Sequence, residues 1–206
     1  MKTIILANGE FPKHPIPLKI LDEAEQVICC DGATLKLLNY NREPNLIIGD
    51  LDSLPEEIKT KYASRLICIT EQEDNDLTKA VNWSIENNIK EITILGATGL
   101  RTDHTIGNIS LLARYGKKIK VRMVDDYGVY TPISQTTTFS SFKGQQVSIF
   151  SIMTETAVTL EGLKYPLNEY CLTEWWMGTL NESLGDSFTV IFKEGRMVVF
   201  LLHKTA

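Results

Sequence analysis

The chain has 206 residues, enough for one large domain or two small ones, and its 43% hydrophobic content supports a sizeable buried core. Charged residues make up 23%, near the globular average, which excludes disorder as the main state. Lysine and arginine total 21 against 26 acids, a formal net charge of −5, and such a chain is a poor candidate for wrapping nucleic acid.

In chain order, short runs rich in Ile and Val at 3–7, 26–30, 45–48, 65–69, 91–95 and 118–124 read as strands buried on both faces. Helical patterns fall between them. Three are short, at 17–25, 33–40 and 55–63. A longer one starts near Asp76, with Leu77, Ala80, Val81, Ser84 and Ile85 on one face. Another carries Ile106, Ile109, Leu111, Leu112 and Ala113 and is ended by Gly116. This alternation predicts an α/β domain over 1–128, its sheet mostly parallel with helices on both sides. The pattern then changes. The stretch TPISQTTTFSSF has no helical period, and 147–153, 157–163, 187–192 and 197–202 read as strands. Glu194-Gly195 predicts a hairpin turn between the last two. Residues 129–206 are therefore expected to form an antiparallel all-β domain.

The opening MKTIILANGEF has too short an apolar run for a secretory leader, and no stretch approaches the ~20 apolar residues of a membrane helix. Cysteines 29, 30, 68 and 171 form no CxxC pair, which argues against zinc and suits a reducing cytoplasm.

The chemistry lies in where the acids fall. Asp31, Asp50 and Asp52 follow predicted strands, Asp74 and Asp76 follow the fourth, and Asp103 follows the fifth. Loops after the carboxyl ends of parallel strands converge on one crevice. Carboxylates gathered there repel unless a cation or proton intervenes, and magnesium is the natural cation for an all-oxygen cluster handling phosphate. In GDLDS the two acids stand at i and i+2, a spacing that points them to one side of an extended loop. Each acid also has a structural reading. Asp76 and Asp103 suit helix starts, and Ser53 with Glu56 matches a capping box.

Gly96-Ala97-Thr98-Gly99 before Arg101 can offer backbone N–H groups and a guanidinium to an anion, and it serves equally as an ordinary βα connection. Neither GxxxxGK[ST] nor GxGxxG occurs here. His104 beside Asp103 reads as a base, a polar contact or a structural residue. Trp175 and Trp176 read either as a flat surface for a ligand ring, which only one of two adjacent strand residues could face, or as core and interface residues.

These segments resemble the thiamine pyrophosphokinase family over nearly the whole chain. The resemblance rests on CDGA (30–33), IIGDLDS (47–53), EQEDNDLTKA (71–80), LGATGLRTDH (95–104) followed by TIGNI, GLKYPL (162–167) and GTLNE (178–182). It implies an N-terminal α/β domain that binds ATP, a C-terminal β-sandwich that binds thiamine, and a homodimer with its site near the interface. The implied reaction is magnesium-dependent transfer of diphosphate from ATP to thiamine. Carried over by position, Asp31, Asp50, Asp52, Asp76 and Asp103 match the active-site acids, with Asp50, Asp52 and Asp76 the expected metal ligands. Gln72, Lys79, Arg101 and Ser53 are expected at ATP, and Asp103 and Asn181 at thiamine. The chain departs from the family pattern at Ala33, Asn75, Leu100 and Leu180. Leu100 stands where a glycine is usual and Leu180 where a serine is. Other readings are a related magnesium-dependent transferase acting on another alcohol, and a thiamine binder without catalysis. A phospho-acceptor receiver domain also clusters acids at strand ends, but it calls for a lysine after the fifth strand, where this chain reads GATGLRTD.

Overall fold

The computed structural model describes residues 1–204 and divides into two compact units. The first comprises Met1–Leu111 and Lys118–Asp126. It alternates β1 (Thr3–Leu6), α1 (Pro15–Asp22), β2 (Gln26–Cys30), α2 (Ala33–Asn39), β3 (Leu46–Gly49), α3 (Glu56–Lys61), β4 (Leu66–Cys68), α4 (Asp76–Glu86), β5 (Glu91–Leu95), α5 (Thr102–Tyr115, its residues from Leu112 on counted with the second unit) and β6 (Lys120–Val124). The strands pair in parallel in the order β6-β5-β1-β2-β3-β4. Helices pack against the sheet, so Ile4–Leu6, Val27–Cys30, Ile47, Ile48 and Ile92–Leu95 have almost no polar positions among them and are nearly all buried. Burial pushes the Cys29 thiol up to about 12 and Cys30 well above its ordinary value, so both are inert core residues.

The order of the strands positions the site. From β1 the chain steps outward through β2, β3 and β4, then returns to lay β5 on the other side of β1. The connections after β1 and β5 therefore diverge, and they leave a crevice beyond the carboxyl ends of these neighbours. Backbone bonds tie the two loops together at its base. Gly9 N donates to Gly96 O at 2.7 Å and Glu10 N donates to Thr98 O at 2.8 Å. A Cβ on Gly9 would lie 2.5 Å from both of those oxygens, so only glycine permits the contact.

The second unit, Leu112–Lys117 with Tyr127–Ala206, holds two antiparallel sheets. Its strands are β7 (Gly128–Ile133), β8 (Thr137–Ser140), β9 (Gln146–Ser151), β10 (Ala157–Glu161), β11 (Leu167–Cys171), β12 (Asn181–Glu182), β13 (Ser187–Ile191) and β14 (Met197–Leu202). One sheet runs β12-β9-β14-β7 and the other β11-β10-β13-β8. Alternate residues of both, Val147, Ile149, Met197 and Val199 with Val158, Leu160, Phe188 and Val190, meet in one core, which is the packing of a sandwich. Glu194-Gly195 does not close a hairpin: β13 pairs with β8 and β10, whereas β14 pairs with β7 and β9. The turn carries the chain from one sheet to the other. Gly195, at φ 129°, comes so close to Thr156 that a Cβ would lie 2.5 Å from its hydroxyl. Among the described residues, no helix is long and apolar enough to cross a membrane.

Candidate active site

Asp31 is the first residue beyond β2, nearly inaccessible and held at φ 27°. Its Oδ2 accepts from Ser53 Oγ at 2.8 Å and from Ser53 N at 3.2 Å. Its Oδ1 is buried without a partner. Ser53 is thereby spent on Asp31 and does not form the expected capping box. Pro55 takes the N-cap position of α3, with no side-chain cap bond.

Asp50 follows β3. Its Oδ1 accepts from Asp52 N at 3.2 Å and its Oδ2 from Gln72 Nε2 at 3.5 Å. The Asp52 N–H in particular holds the Asp50 carboxyl below its ordinary value. Asp76 opens α4 behind its N-cap, Asn75, whose side chain accepts from Thr78 N at 2.9 Å. Asp76 is thus free of capping. Partial burial raises its carboxyl, assisted by the charges of Asp50 and Asp31, and Lys79 opposes the rise. Lys79 is itself buried, its Nζ 3.5 Å from Asp76 Oδ1.

Asp31, Asp50 and Asp76 each present a carboxylate oxygen within 4.8 Å of the other two. Gly49 makes the approach possible: a Cβ there would stand 2.9 Å from Asp31 Cβ and 3.3 Å from Asp76 Cγ. This triad differs from the expected metal set in one member. Asp52 is exposed and stands outside it, because Leu51, buried at φ 67°, turns the loop between the two aspartates. Three carboxylates, one with an orphaned buried oxygen, fit a hard divalent cation such as magnesium.

The crevice beyond β1 and β5 has a volume of about 350 Å³, and Asp76, Arg101 and His104 line it together with Gly99 and Leu100. Arg101 turns its guanidinium on Asp103, with Nη2–Oδ2 at 2.5 Å and Nε–Oδ1 at 3.2 Å. That hydrogen bond chiefly holds the Asp103 carboxyl down at about 2. Asn8, Asn75 and Asn108 also line the crevice; of these only Asn75 stood out in the sequence, as a departure from the family pattern and not as a site residue. Asn108 Nδ2 fixes the glycine loop through Ala97 O at 2.8 Å.

Asn181 belongs to the second unit. It is buried, and its amide is engaged with Tyr165: Oδ1 accepts from Tyr165 N at 3.0 Å and Nδ2 donates to Tyr165 O at 2.8 Å. It lines a groove of about 280 Å³ with Tyr165, Met177 and Leu180. The two tryptophans lie on a 3-10 turn, Trp175–Gly178, not on a strand. Trp175 is tied inward by Nε1 to Ser151 O at 3.1 Å, which leaves Trp176 as the exposed ring.

A family model described as the thiamin pyrophosphokinase catalytic domain matches residues 18–124, and one described as its substrate-binding domain matches 128–200. The chain is similar to thiamine pyrophosphokinase of Bacillus subtilis (strain 168), with 30% identity over 214 residues, covering 97% of this chain and 98% of that one. The crystal structure of a thiamine pyrophosphokinase from Bacillus subtilis superposes with a TM-score of 0.81 at 28% identity, covering 99% of this chain and 100% of that one. The crystal structure of thiamin pyrophosphokinase from Geobacillus thermodenitrificans gives 0.81 at 26% identity over 100% and 99% of the two chains. Both domain models match in order and the Bacillus subtilis relative aligns almost from end to end, so the chain belongs to the thiamin pyrophosphokinase family of enzymes.

Proposed function

We propose that this protein transfers the diphosphate of ATP to the hydroxyl of thiamine, giving thiamine diphosphate and AMP. The observation that carries the reading is the carboxylate triad, with its unpartnered Asp31 Oδ1, beside the β1/β5 crevice. The names of the relatives supply thiamine and the diphosphate transfer, and the family resemblance supplies ATP.

In this reading Asp31, Asp50 and Asp76 hold magnesium, and exposed Asp52 assists through water. Magnesium, when bound, neutralises charge that builds up on the phosphate oxygens as AMP departs. The thiamine hydroxyl oxygen forms a bond to the β-phosphorus. The bond from that phosphorus to the oxygen bridging the α-phosphorus breaks, and AMP leaves with the electron pair. Arg101 leaves Asp103 for a phosphate oxygen, and Lys79 adds a fixed positive charge behind Asp76. Asp103, freed of its partner, orients the hydroxyl and accepts its proton. A carboxylate is a weak base for an alcohol, so positioning contributes more than proton transfer. Gln72 steadies Asp50, Ser53 steadies Asp31, and Asn181 shapes the thiamine loop through Tyr165.

We also propose a homodimer in a reducing cytoplasm. The exposed apolar side chains of Tyr165, Trp176 and Leu180 support the first, and four unbridged cysteines the second.

The test is incubation with thiamine, ATP and Mg²⁺, with products separated by chromatography. The expected products are AMP and thiamine diphosphate. ADP with thiamine monophosphate, or no AMP beyond an ATP-only control, refutes the reading.

A further inference from the structure

We infer that Leu100 is a specificity-determining residue, its side chain lying on the flat face of the ring bound in the β1/β5 crevice. The inference rests on the reaction proposed above. Two rings share the required chemistry, an apolar face with an amino-substituted nitrogen edge: the adenine of ATP and the aminopyrimidine of thiamine.

Leu100 sits between Gly99, at φ 73°, and Arg101, and itself takes φ 55°. A leucine in this left-handed region is strained, because its Cβ crowds the following carbonyl oxygen. Packing of its own side chain does not offset this, since the residue is 71% exposed. Glycine would take the same φ freely, and glycine is the residue the family resemblance sets here. The fold alone therefore gives no reason for a large apolar side chain. Its surroundings do. Leu100 stands in the wall of the 350 Å³ crevice, among the apolar Ala7, Leu77 and Ala97 and the amide-bearing Asn8 and Asn108. Apolar faces with a few placed amides are the lining that receives a planar heteroaromatic ring. Asp76 of the triad lies in the same wall, so a ring here is continuous with phosphates at the metal site. Strain at a residue that does nothing for the fold points to function.

The experiment compares Leu100→Gly, Leu100→Asn and Leu100→Met with the wild type in steady-state kinetics, with separate KM values for ATP and thiamine. Gly and Asn both accept left-handed backbone, so both variants keep Tm within about 3 °C of the wild type. Leu100→Gly and Leu100→Asn raise one KM by about tenfold with kcat less affected, as expected for removing part of a leucine contact. Leu100→Met stays near the wild type. The KM that moves identifies the ring. Unchanged KM values for both substrates in an active enzyme overturn the inference. A change in molar mass by light scattering with unchanged KM values also overturns it, by assigning Leu100 to a protein contact. An inactive wild type would instead sink the proposed reaction.

Discussion

Replacing Asp31 by asparagine has opposite expected effects with and without metal. In metal-free protein the Asp31 carboxylate faces two others within 4.8 Å. Each such pair repels by about 3.5 kcal/mol at an effective dielectric of 20 and by about 0.9 kcal/mol in bulk water. Asp50 and Asp76 are partly exposed, so screening holds the sum over both pairs to about 2 kcal/mol. The amide of the variant keeps an acceptor for Ser53 and carries no charge. Asp31→Asn should therefore raise Tm in EDTA by roughly 4–8 °C. Magnesium reverses the order. At a hundredfold excess over Kd, bound ligand stabilises the wild type by about 2.7 kcal/mol, and the variant loses most of that with its charged ligand. Thermal melts of both proteins, in EDTA and across a Mg²⁺ titration, read the crossing. A variant less stable than wild type in EDTA, or equal Mg²⁺ shifts in both proteins, would refute the reasoning.

Gly49→Ala puts a Cβ 2.9 Å from Asp31 Cβ and 3.3 Å from Asp76 Oδ1, which spreads the triad. The expected loss in kcat/KM is at least tenfold, with far-UV circular dichroism unchanged; a wild-type rate would show that the triad tolerates the spread. Arg101→Ala should return the Asp103 carboxyl from about 2 toward its ordinary value, read by carbon NMR titration, and a carboxyl that stays low would remove Arg101 as the cause. The sign for stability follows. Asp103 is depressed, so its contribution is present above the unfolded value of about 3.9 and is lost as pH falls through about 2. Asp76 is raised, so its contribution is present below about 3.9 and is lost as pH rises through its folded value.

Strands β1, β2, β3 and β5 were legible because burial on both faces leaves an unbroken apolar run. Those at 26–30 and 91–95 have the bounds the runs suggest. The expected two-face burial fails at the sheet-edge β4, which is half-buried to exposed, and at β6, where exposed and buried positions alternate. The second unit hid β8 and β11, edge strands of their sheet. β11, Leu-Asn-Glu-Tyr-Cys, pairs only with β10 and is mostly exposed, so it shows no apolar alternation. β7 was hidden by Pro132 and by four half-buried positions. The misplaced hairpin has a different cause: β13 and β14 each show clear apolar patterning, but their partners lie far away in sequence. At the site, a parallel sheet sends its carboxyl ends to one edge, so acids after strands could be gathered from sequence. Which of them point inward could not. Asp50 joins the triad and exposed Asp52 does not, with Leu51 in left-handed backbone between them. The amides of Asn8, Asn75 and Asn108 carry no periodic signal at all.

Left-handed non-glycine backbone recurs along this edge. Asp31, Leu51 and Leu100 each take it, at φ 27°, 67° and 55°, and each is or adjoins a residue of the candidate site. Asn41 and Asn88 take it too, but asparagine does so readily, and in the second unit Glu169 of β11 and Leu180 beside Asn181 take it at φ 46° and 60°. Strain of about 1 kcal/mol at a single residue persists only where packing over-determines the conformation. Here the support is the parallel sheet behind the loops, where Ile5, Ile28, Ile47 and Ile94 are essentially inaccessible to solvent. A rigid apolar sheet can hold three mutually repelling carboxylates and a bent backbone in place before any ligand arrives. Binding a cation then removes repulsion without reorganising the loops, which is the condition for stabilising charge that develops during phosphate transfer.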